Sequence, residues 1–314
     1  MAVGQLGLLR SRTPIETILA NPETPDDTRA GLELVLDARR FAASLGLEVD
    51  GQYTHYTEWP GDHLVTTVVA TRQGELNPVG FWFPIVGNVP YKGFFESDKA
   101  EAEATRLRDE GYDVCVSPVR AYSTLGWFAD PITGPMLRQG PERLVETVIH
   151  ELVHATVFAK SQADFNESIA TFIGEEGRVA FFAETEGPDA GARERARVIA
   201  ARAYRGVLED TRQRLASLYS GREPRTARLD RKKTIHEDAR RQIALLDGVA
   251  NRSGASRGAR LNDACLALAG TYGAHIERYA AWVAEQQLEL PELILRAQEA
   301  AKSDAPLESL GISP

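Results

Sequence analysis

The sequence predicts an α+β protein with a small, mostly antiparallel sheet towards the N-terminus and a large helical C-terminal lobe. Between residues 51 and 128, short runs rich in valine, threonine and aromatic side chains alternate with turn residues, which favours strands. After Asp130-Pro131, apolar residues recur at helical spacing almost to the end of the chain. The chain has 314 residues, 43% of them hydrophobic, which is enough to bury a full core.

We expect three regions along the chain. An N-terminal helical segment should cover residues 1–50, because turn and cap residues at Thr24–Asp27 precede apolar residues at helical spacing. A sheet followed by the first long helix should cover residues 51–160. A helical lobe should cover residues 161–314.

The sheet region should contain a hairpin, one helix and two further strands. Turn residues at positions 73–78 separate the two strands of the hairpin. The helix should be capped by Ser97 or Asp98 and should end at Gly111. In order, the expected elements are the strands His63–Ala70 and Val79–Val86, the helix Ser97–Glu110, and the strands Asp113–Pro118 and Ala121–Phe128.

The remaining elements should all be helices. Pro141 suits a first helical position, Asp164 should cap the second helix, and Gly221 should form the turn of a long helical hairpin. The hairpin carries many arginines and lysines, which we interpret as a solvated face; an anionic contact surface is the alternative. The expected helices are Pro141 to about Lys160, Phe165 to about Phe182, Ala192–Tyr219, Ala227–Leu246, Arg260–Gln286 and Pro291–Lys302.

Composition excludes several classes of protein. The 36 basic and 45 acidic residues give a net charge of −9, which argues against a general nucleic-acid binder. Two cysteines, Cys115 and Cys265, allow one bridge but neither a disulfide framework nor a cysteine-built zinc site. No apolar run reaches the length of about 18 residues that spans a membrane, and Met1–Arg12 lacks the pattern of an export signal.

The most informative segment is Val148-Ile149-His150-Glu151-Leu152-Val153-His154, a His-Glu-x-x-His pattern within the first long helix. Residues four apart share one helix face, so both imidazoles can reach one zinc ion. Glu151 projects beside them, where it can take a proton from a water molecule that the metal activates. The alternative is a pair of ordinary helix histidines beside a surface glutamate.

A catalytic zinc site needs a third protein ligand. His236, His275 and acidic residues downstream are candidates by residue type. In Asp164-Phe165-Asn166-Glu167-Ser168, a preceding short turn would fold the second helix back beside the first and bring Glu167 to face the histidines. The alternative is a capping box, in which Asp164 is the cap and Glu167 closes back on it.

The motif and three further stretches resemble a family of bacterial predicted aminopeptidases, zinc peptidases of the thermolysin-like gluzincin kind. The likeness runs from about Gly4 to Leu290 and is specific in the middle and loose in the helical tail. A weaker similarity to the family is found in Leu261-Asn262-Asp263-Ala264 and in Tyr272. The three stretches are Pro84-Ile85-Val86-Gly87-Asn88-Val89-Pro90-Tyr91-Lys92-Gly93-Phe94-Phe95, Ala121-Tyr122-Ser123-Thr124-Leu125-Gly126-Trp127-Phe128 and Phe165-Asn166-Glu167-Ser168.

The resemblance implies a zincin-like fold and a zinc-dependent aminopeptidase, with Zn²⁺ held by His150, His154 and Glu167. The spacing to Glu167 is shorter than in thermolysin, so the match is to this family and not to thermolysin's own motif. Members often begin with an export or lipoprotein signal just before a segment like Val3–Leu9. The resemblance therefore implies a periplasmic or cell-envelope location, with the cytoplasm as the alternative, and we expect Met1 to mark an engineered or trimmed start.

A peptidase must also hold its substrate. In zincins an extended edge strand before the active-site helix pairs with the peptide backbone, and Tyr122–Phe128 is the natural candidate. Gly126 would let a backbone approach closely, although an ordinary hairpin strand with a packed Trp127 is the plainer alternative. The predicted substrate-binding residues are Ser123, Thr124, Leu125, Gly126, Trp127 and Asp130.

The sequence identifies less specifically the residues that would assist the zinc and Glu151 in catalysis. Tyr272 is the predicted donor to the tetrahedral intermediate, with His275 as its rival and with Tyr91, Tyr122 and His236 as further candidates. Asp130, Glu96 or Glu175 could bind the substrate's amino terminus, although Asp130 also fits a simple turn. Glu175 or Glu176 could accept the second ring proton of a metal-binding histidine.

Three alternative functions remain open at this point. One is a zinc endopeptidase with an open cleft, which also takes peptide substrates. Another is a metal-stabilised binding or scaffold protein that uses its arginine-bearing helices. The last is a helical protein with a coincidental motif and no zinc. The sequence leaves the oligomeric state open.

Overall fold

The computed structural model describes residues 11–59, 61–83, 87–119, 130–221, 224–250, 261–273 and 275–312. The chain divides into two compact units. The first comprises Met1–Leu64, Val119–Arg195 and Ala274–Pro314, and the second comprises Val65–Pro118 and Ala196–Gly273. The three regions predicted from the sequence remain a prediction.

The described residues form helices and short strands, as an α+β class requires. The helices are α1 (Ile15–Ala20), α2 (Asp26–Ser44), α3 (Ser97–Asp109), α4 (Gly134–Leu137), α5 (Pro141–Thr156), α6 (Ala163–Glu186), α7 (Pro188–Ser220), α8 (Arg225–Ala250), α9 (Asp263–Gly273), α10 (Ile276–Gln286), α11 (Leu290–Ala300) and α12 (Pro306–Ser309). The strands are β1 (Thr13–Pro14), β2 (His55–Thr57), β3 (Val65–Arg72), β4 (Phe81–Phe83), β5 (Gly87–Val89), β6 (Lys92–Phe94), β7 (Tyr112–Val119) and β8 (Ile132–Thr133).

The first unit is built around helices α5 and α6. Their apolar faces enter one continuous core, and Ile149, Leu152 and Ile173 are among its fully buried side chains. Helices α2, α10 and α11 add apolar side chains to the same core. A small sheet pairs β2 with β1 in antiparallel and with β8 in parallel orientation.

The second unit contains a three-stranded sheet of order β6-β3-β7 and a separate antiparallel β4-β5 pair. Helix α3 packs on the sheet through Ala100, Ala104 and Leu107. A disulfide joins Cys115 on β7 to Cys265 on α9, with their Cα atoms 5.0 Å apart. The bridge that the sequence left open is therefore present.

The predicted hairpin between His63–Ala70 and Val79–Val86 is wrong beyond its turn. Thr71 bridges to Pro78, and the amide of Val79 donates to the carbonyl of Ala70 at 2.8 Å. The ladder then stops, and β4 pairs with β5 instead of β3. In the described sheet β3 is the central strand between β6 and β7, so its two edges are already paired, which gives a physical reason for the early end.

Two predicted helix caps are also wrong. Helix α3 has Glu96 at its N-cap, while the Oγ atom of Ser97 lies 3.5 Å from that of Thr66. Helix α6 begins at Ala163 with Gln162 as its N-cap, so Asp164 lies within the first turn. The capping box between Asp164 and Glu167 is therefore not formed.

The predicted helix Arg260–Gln286 is wrong as one element, because it forms two helices, α9 and α10, and His275 before α10 has a φ of 64°. Helix α5 ends at Thr156, short of the predicted Lys160. The other predicted helices lie close to their expected ranges, and Gly111 ends α3 with a φ of 89°. The predicted strand Ala121–Phe128 lies outside the described residues. Among the helices that the structure describes, none combines the length and the apolar character needed to cross a membrane.

Candidate metal centre

Helix α5 presents the two histidines because of how it begins and which face it buries. Gly140, with φ at 89°, turns the chain into Pro141, whose missing N–H costs nothing at the first helical position. Val145, Val148 and Leu152 then face the core with helical spacing. This leaves His150 and His154 one turn apart along one edge of the helix.

Helix α6 runs antiparallel to α5 and lies very close to it. Glu146 on α5 pairs with Arg178 on α6, and His154 lies opposite Glu167. Between them, a Cβ atom on Gly174 would lie only 3.2 Å from the carbonyl oxygen of Glu146 and 3.3 Å from the Cβ of His150. Glycine at position 174 therefore lets the two helix backbones approach at the level of the histidines.

Three potential metal ligands meet where the helices face each other. The Nε2 atoms of His150 and His154 are 3.1 Å apart. The carboxylate of Glu167 lies 3.7 Å from Nε2 of His150 and 3.8 Å from Nε2 of His154. All three ligand atoms lie within 4.8 Å of one another. His154 is 4% exposed, so the site is closed on one side.

Burial and neighbouring charges shift the pKa of each group in this cluster. Burial, together with the charge of His150, lowers the pKa of His154 to about 4, although the charge of Glu167 opposes the shift. Burial also opposes charge on His150, but the hydrogen bond with Glu167 and the charges of nearby carboxylates raise its pKa overall. Burial is the largest single effect on Glu167 and raises its pKa, but the interactions with His150 and His154 together lower that pKa overall. A neutral His154 and an ionised Glu167 are the forms that bind a metal.

A protein family described as "Putative aminopeptidase" matches residues 1–308 of the chain. The chain belongs to this family. The family description indicates a peptidase, and therefore a hydrolase that acts on peptides. No curated protein and no solved structure matches the chain.

Within this member of the aminopeptidase family, Asp130 is buried and held by its backbone. Its amide donates to Oε1 of Gln52 at 2.9 Å, and its carbonyl accepts from the amide of Tyr53 at 3.0 Å. Tyr53 is also buried and has a φ of 55°, a conformation that is rare for an aromatic residue. Burial raises the pKa of its hydroxyl, and the charges of Glu151 and Asp130 add to this effect.

Sequence reasoning missed Tyr53, because no local motif marks it. Its electrostatic interaction with both Glu151 and Asp130 connects the predicted general base with a predicted amine-binding residue. Tyr53 precedes Asp130 by roughly 75 positions and Glu151 by roughly 100 positions in the sequence. The only signal in the chain would have been the turn-like Asp50-Gly51 just before Tyr53.

Other predicted site residues are placed as follows. Tyr272 lies on helix α9 of the second unit, where the structure describes only its backbone. His275 precedes helix α10 with a φ of 64°, and its Nδ1 is 3.3 Å from Arg278. His236 lies on helix α8 in the second unit. Tyr122 and the predicted substrate-binding residues Ser123, Thr124, Leu125, Gly126 and Trp127 lie outside the described residues.

The carboxylates considered for supporting roles differ in their surroundings. Glu176 forms a bidentate pair with Arg195 at 2.6 and 2.7 Å, which occupies both of its oxygens. Glu96 is exposed and pairs with Lys99. Glu175 is 2% exposed on α6, next to Gly174. Nδ1 of His154 is buried and has no hydrogen-bond partner in the described part of the chain.

Proposed function

We propose that this protein is a zinc-dependent aminopeptidase that binds its metal through His150, His154 and Glu167. The observation that carries the proposal is the convergence of two imidazole nitrogens and one carboxylate at a single point between helices α5 and α6. Membership of the aminopeptidase family supports peptides as the substrate.

The donor set fits zinc. Two imidazoles and one carboxylate are the protein ligands of a major class of catalytic zinc sites, which keep a fourth position open. Nitrogen atoms 3.1 Å apart cannot both carry a proton towards each other, so a cation between them and Glu167 would relieve that conflict. His150 and Glu167 are partly exposed, whereas His154 is buried. The fourth coordination position of the zinc would therefore be open towards the solvent.

Bound zinc would supply a Lewis acid that polarises the scissile carbonyl and lowers the pKa of the attacking water. Glu151 follows His150 on the same helix, so its carboxylate can take the proton of that water and pass it to the leaving amine. Asp130 is our proposed partner for the substrate's ammonium group, since its charge and that of Glu151 both act on Tyr53. Such a carboxylate would select peptides with a free amino terminus.

Direct evidence would come from a peptide library of which half the members are acetylated at the N-terminus. Zinc-loaded wild type should release single N-terminal residues from the free peptides only. Glu151→Gln should keep its zinc and lose activity by at least about 100-fold, because the general base is gone. Glu142→Gln, the same substitution nine residues earlier on α5, is the matched control and should remain active.

Other outcomes would favour a different function or a different set of zinc ligands. Internal cuts in both halves of the library would indicate an endopeptidase. Absence of any product that depends on Glu151 would favour a metal-stabilised binding or scaffold protein. Full zinc retention by Glu167→Ala would contradict the assignment of the third ligand.

We also propose that the enzyme works in the periplasm or at the cell envelope. The disulfide between Cys115 and Cys265 supports this location, because disulfides form and persist in oxidising compartments. A thiol-labelling assay on protein isolated from its natural cell would test it. Labelling of both cysteines without prior reduction would favour the cytoplasm.

A further inference from the structure

The connection between helices α5 and α6 is closed by one side chain, that of Asn166. Its Nδ2 donates to the carbonyl of Ala159 at 2.8 Å, and its Oδ1 accepts from the amide of Ala159 at 2.9 Å. The side-chain amide of Asn166 therefore pairs with both the N–H and the C=O of Ala159, as the backbone of a neighbouring strand would. Both residues are buried, at 6% and 1% exposure.

This pairing replaces a helical continuation that the sequence predicts. Apolar spacing predicts that the first helix runs to about Lys160, yet α5 ends at Thr156. The chain then turns through Ser161, whose φ is 63°, and α6 begins at Ala163. Because Ala159 is buried, water cannot replace the two hydrogen bonds, and their loss would leave buried backbone groups unsatisfied.

The contact between Asn166 and Ala159 joins two segments that lie next to metal ligands in the sequence. Ala159 lies five residues after His154, and Asn166 immediately precedes Glu167. The side-chain amide thus ties the end of one ligand-bearing helix to the start of the other. On the opposite side of the ligands, Arg178 pairs with Glu146 and fixes the far end of the helix pair.

We propose that Asn166 is a positioning residue that holds Glu167 in register with His150 and His154 for metal binding. Zinc–ligand distances tolerate deviations of only about 0.2 Å. A helix start that can shift by more than this would present the carboxylate poorly, even if the fold survives. The inference rests on the proposed zinc site and assigns a role to a residue that does not itself bind the metal.

The test compares Asn166→Ala with Ser168→Ala. Ser168 is the other neighbour of Glu167 and is also fully buried, but its hydroxyl contacts Phe165 and Tyr279 instead of the α5–α6 connection. Zinc affinity is measured by competition with a chelator, and the stability of the metal-free protein by urea unfolding. The visible spectrum of the cobalt-substituted protein reports the geometry of the ligands.

We expect Asn166→Ala to weaken zinc binding by about 10- to 100-fold, as loss of groups that orient metal ligands does. Its cobalt spectrum should change, whereas Ser168→Ala should bind zinc like the wild type and leave the spectrum unaltered. If Asn166→Ala does not fold, Asn166→Asp keeps the shape and the acceptor but sets an oxygen against the carbonyl of Ala159. It should also weaken zinc binding.

Two results would overturn the inference, and they differ in meaning. Normal zinc affinity in a destabilised Asn166 variant would show that the side chain supports only the fold. A wild-type protein that binds no zinc would overturn the proposed function and this inference together.

Discussion

Each of the two units contains a buried polar cluster, and the two clusters are organised in opposite ways. In the second unit, the fully buried carboxylate of Asp263 accepts hydrogen bonds from the hydroxyl of Tyr219 at 2.8 and 2.9 Å and from Nζ of Lys232 at 2.8 Å. The amide of Gly74 adds a longer bond of 3.3 Å. Each of these hydrogen bonds joins a donor to an acceptor, and Lys232 carries the charge opposite to that of Asp263.

In the first unit, by contrast, His150, His154 and Glu167 turn their acceptor atoms towards one another. A single proton between the rings satisfies only part of this arrangement. The comparison suggests a physical criterion: a structural cluster is complete without a ligand, whereas a metal site gathers lone pairs at one point.

The largest expected effect is on stability in the second unit. Asp263→Ala leaves the partly buried Lys232 and Tyr219 without the carboxylate that accepts their hydrogen bonds, and should lower the free energy of unfolding by about 3 kcal/mol. Zinc affinity should not change, since the cluster needs no metal. Urea unfolding and a zinc titration give both values.

Tyr219→Phe is the milder variant of the same cluster and should cost about 1 kcal/mol, the usual net value of one hydrogen bond. A loss of zinc binding in either folded variant would show that the Asp263 cluster takes part in metal binding, and would break the distinction between the two units.

A smaller effect is expected from Gly174→Ala in the first unit. The new Cβ would lie 3.2 Å from a backbone oxygen of α5, which has little freedom to move, so the helices must separate by a few tenths of an ångström. We expect a loss of about 1–3 kcal/mol in stability from this overpacking. Zinc affinity should fall about tenfold, because the ligand spacing changes by more than the metal tolerates.

Gly206→Ala is the matched control for this helix glycine. Gly206 lies within α7, where an added Cβ would meet no atom within 4 Å. Alanine there should stabilise the protein by about 0.5–1 kcal/mol and leave zinc affinity unchanged. Equal effects of the two substitutions on zinc would argue against the close approach of α5 and α6 as the cause.

Much of the candidate site could be predicted because its determinants are local. The spacing of His150 and His154 within one helix is a property of helix geometry alone. A short connection to the next helix then brings Glu167 to the same edge, where the structure has it. The α+β class followed in the same way from runs of strand-like and helix-like spacing.

What could not be predicted depends on contacts between distant segments. The charges of Glu151 and Asp130, which lie far along the chain, raise the pKa of Tyr53. The disulfide joins cysteines 150 residues apart. The pairing of β4 with β5 depends on which strands compete for the edge of β3. Asn166 illustrates the limit well, because its position in a helix start gives no sign that its side chain pairs with Ala159.

The smallest predicted effect concerns the charge balance of the Asp263 cluster. Asp113 lies 3.7 Å from Lys232, which also serves Asp263. Burial raises the pKa of Asp113 and is the largest effect; the charge of Lys232 offsets part of the rise, and the carboxylate of Asp263 adds to it. The folded state therefore binds a proton at Asp113 more tightly than the unfolded state, so stability falls as the pH rises through and above the usual carboxyl pKa of about 4.

Asp113→Asn removes this titration. The variant should match the wild type near pH 3.5 and become more stable than the wild type by less than about 1 kcal/mol at pH 7.5, as measured by urea unfolding at both pH values. Zinc affinity at pH 7.5 should be the same in both proteins. A variant less stable at pH 7.5 would mean that the attraction between Asp113 and Lys232 outweighs burial. Lys232 would then stabilise both Asp263 and Asp113, as expected of a structural cluster that is complete without a metal.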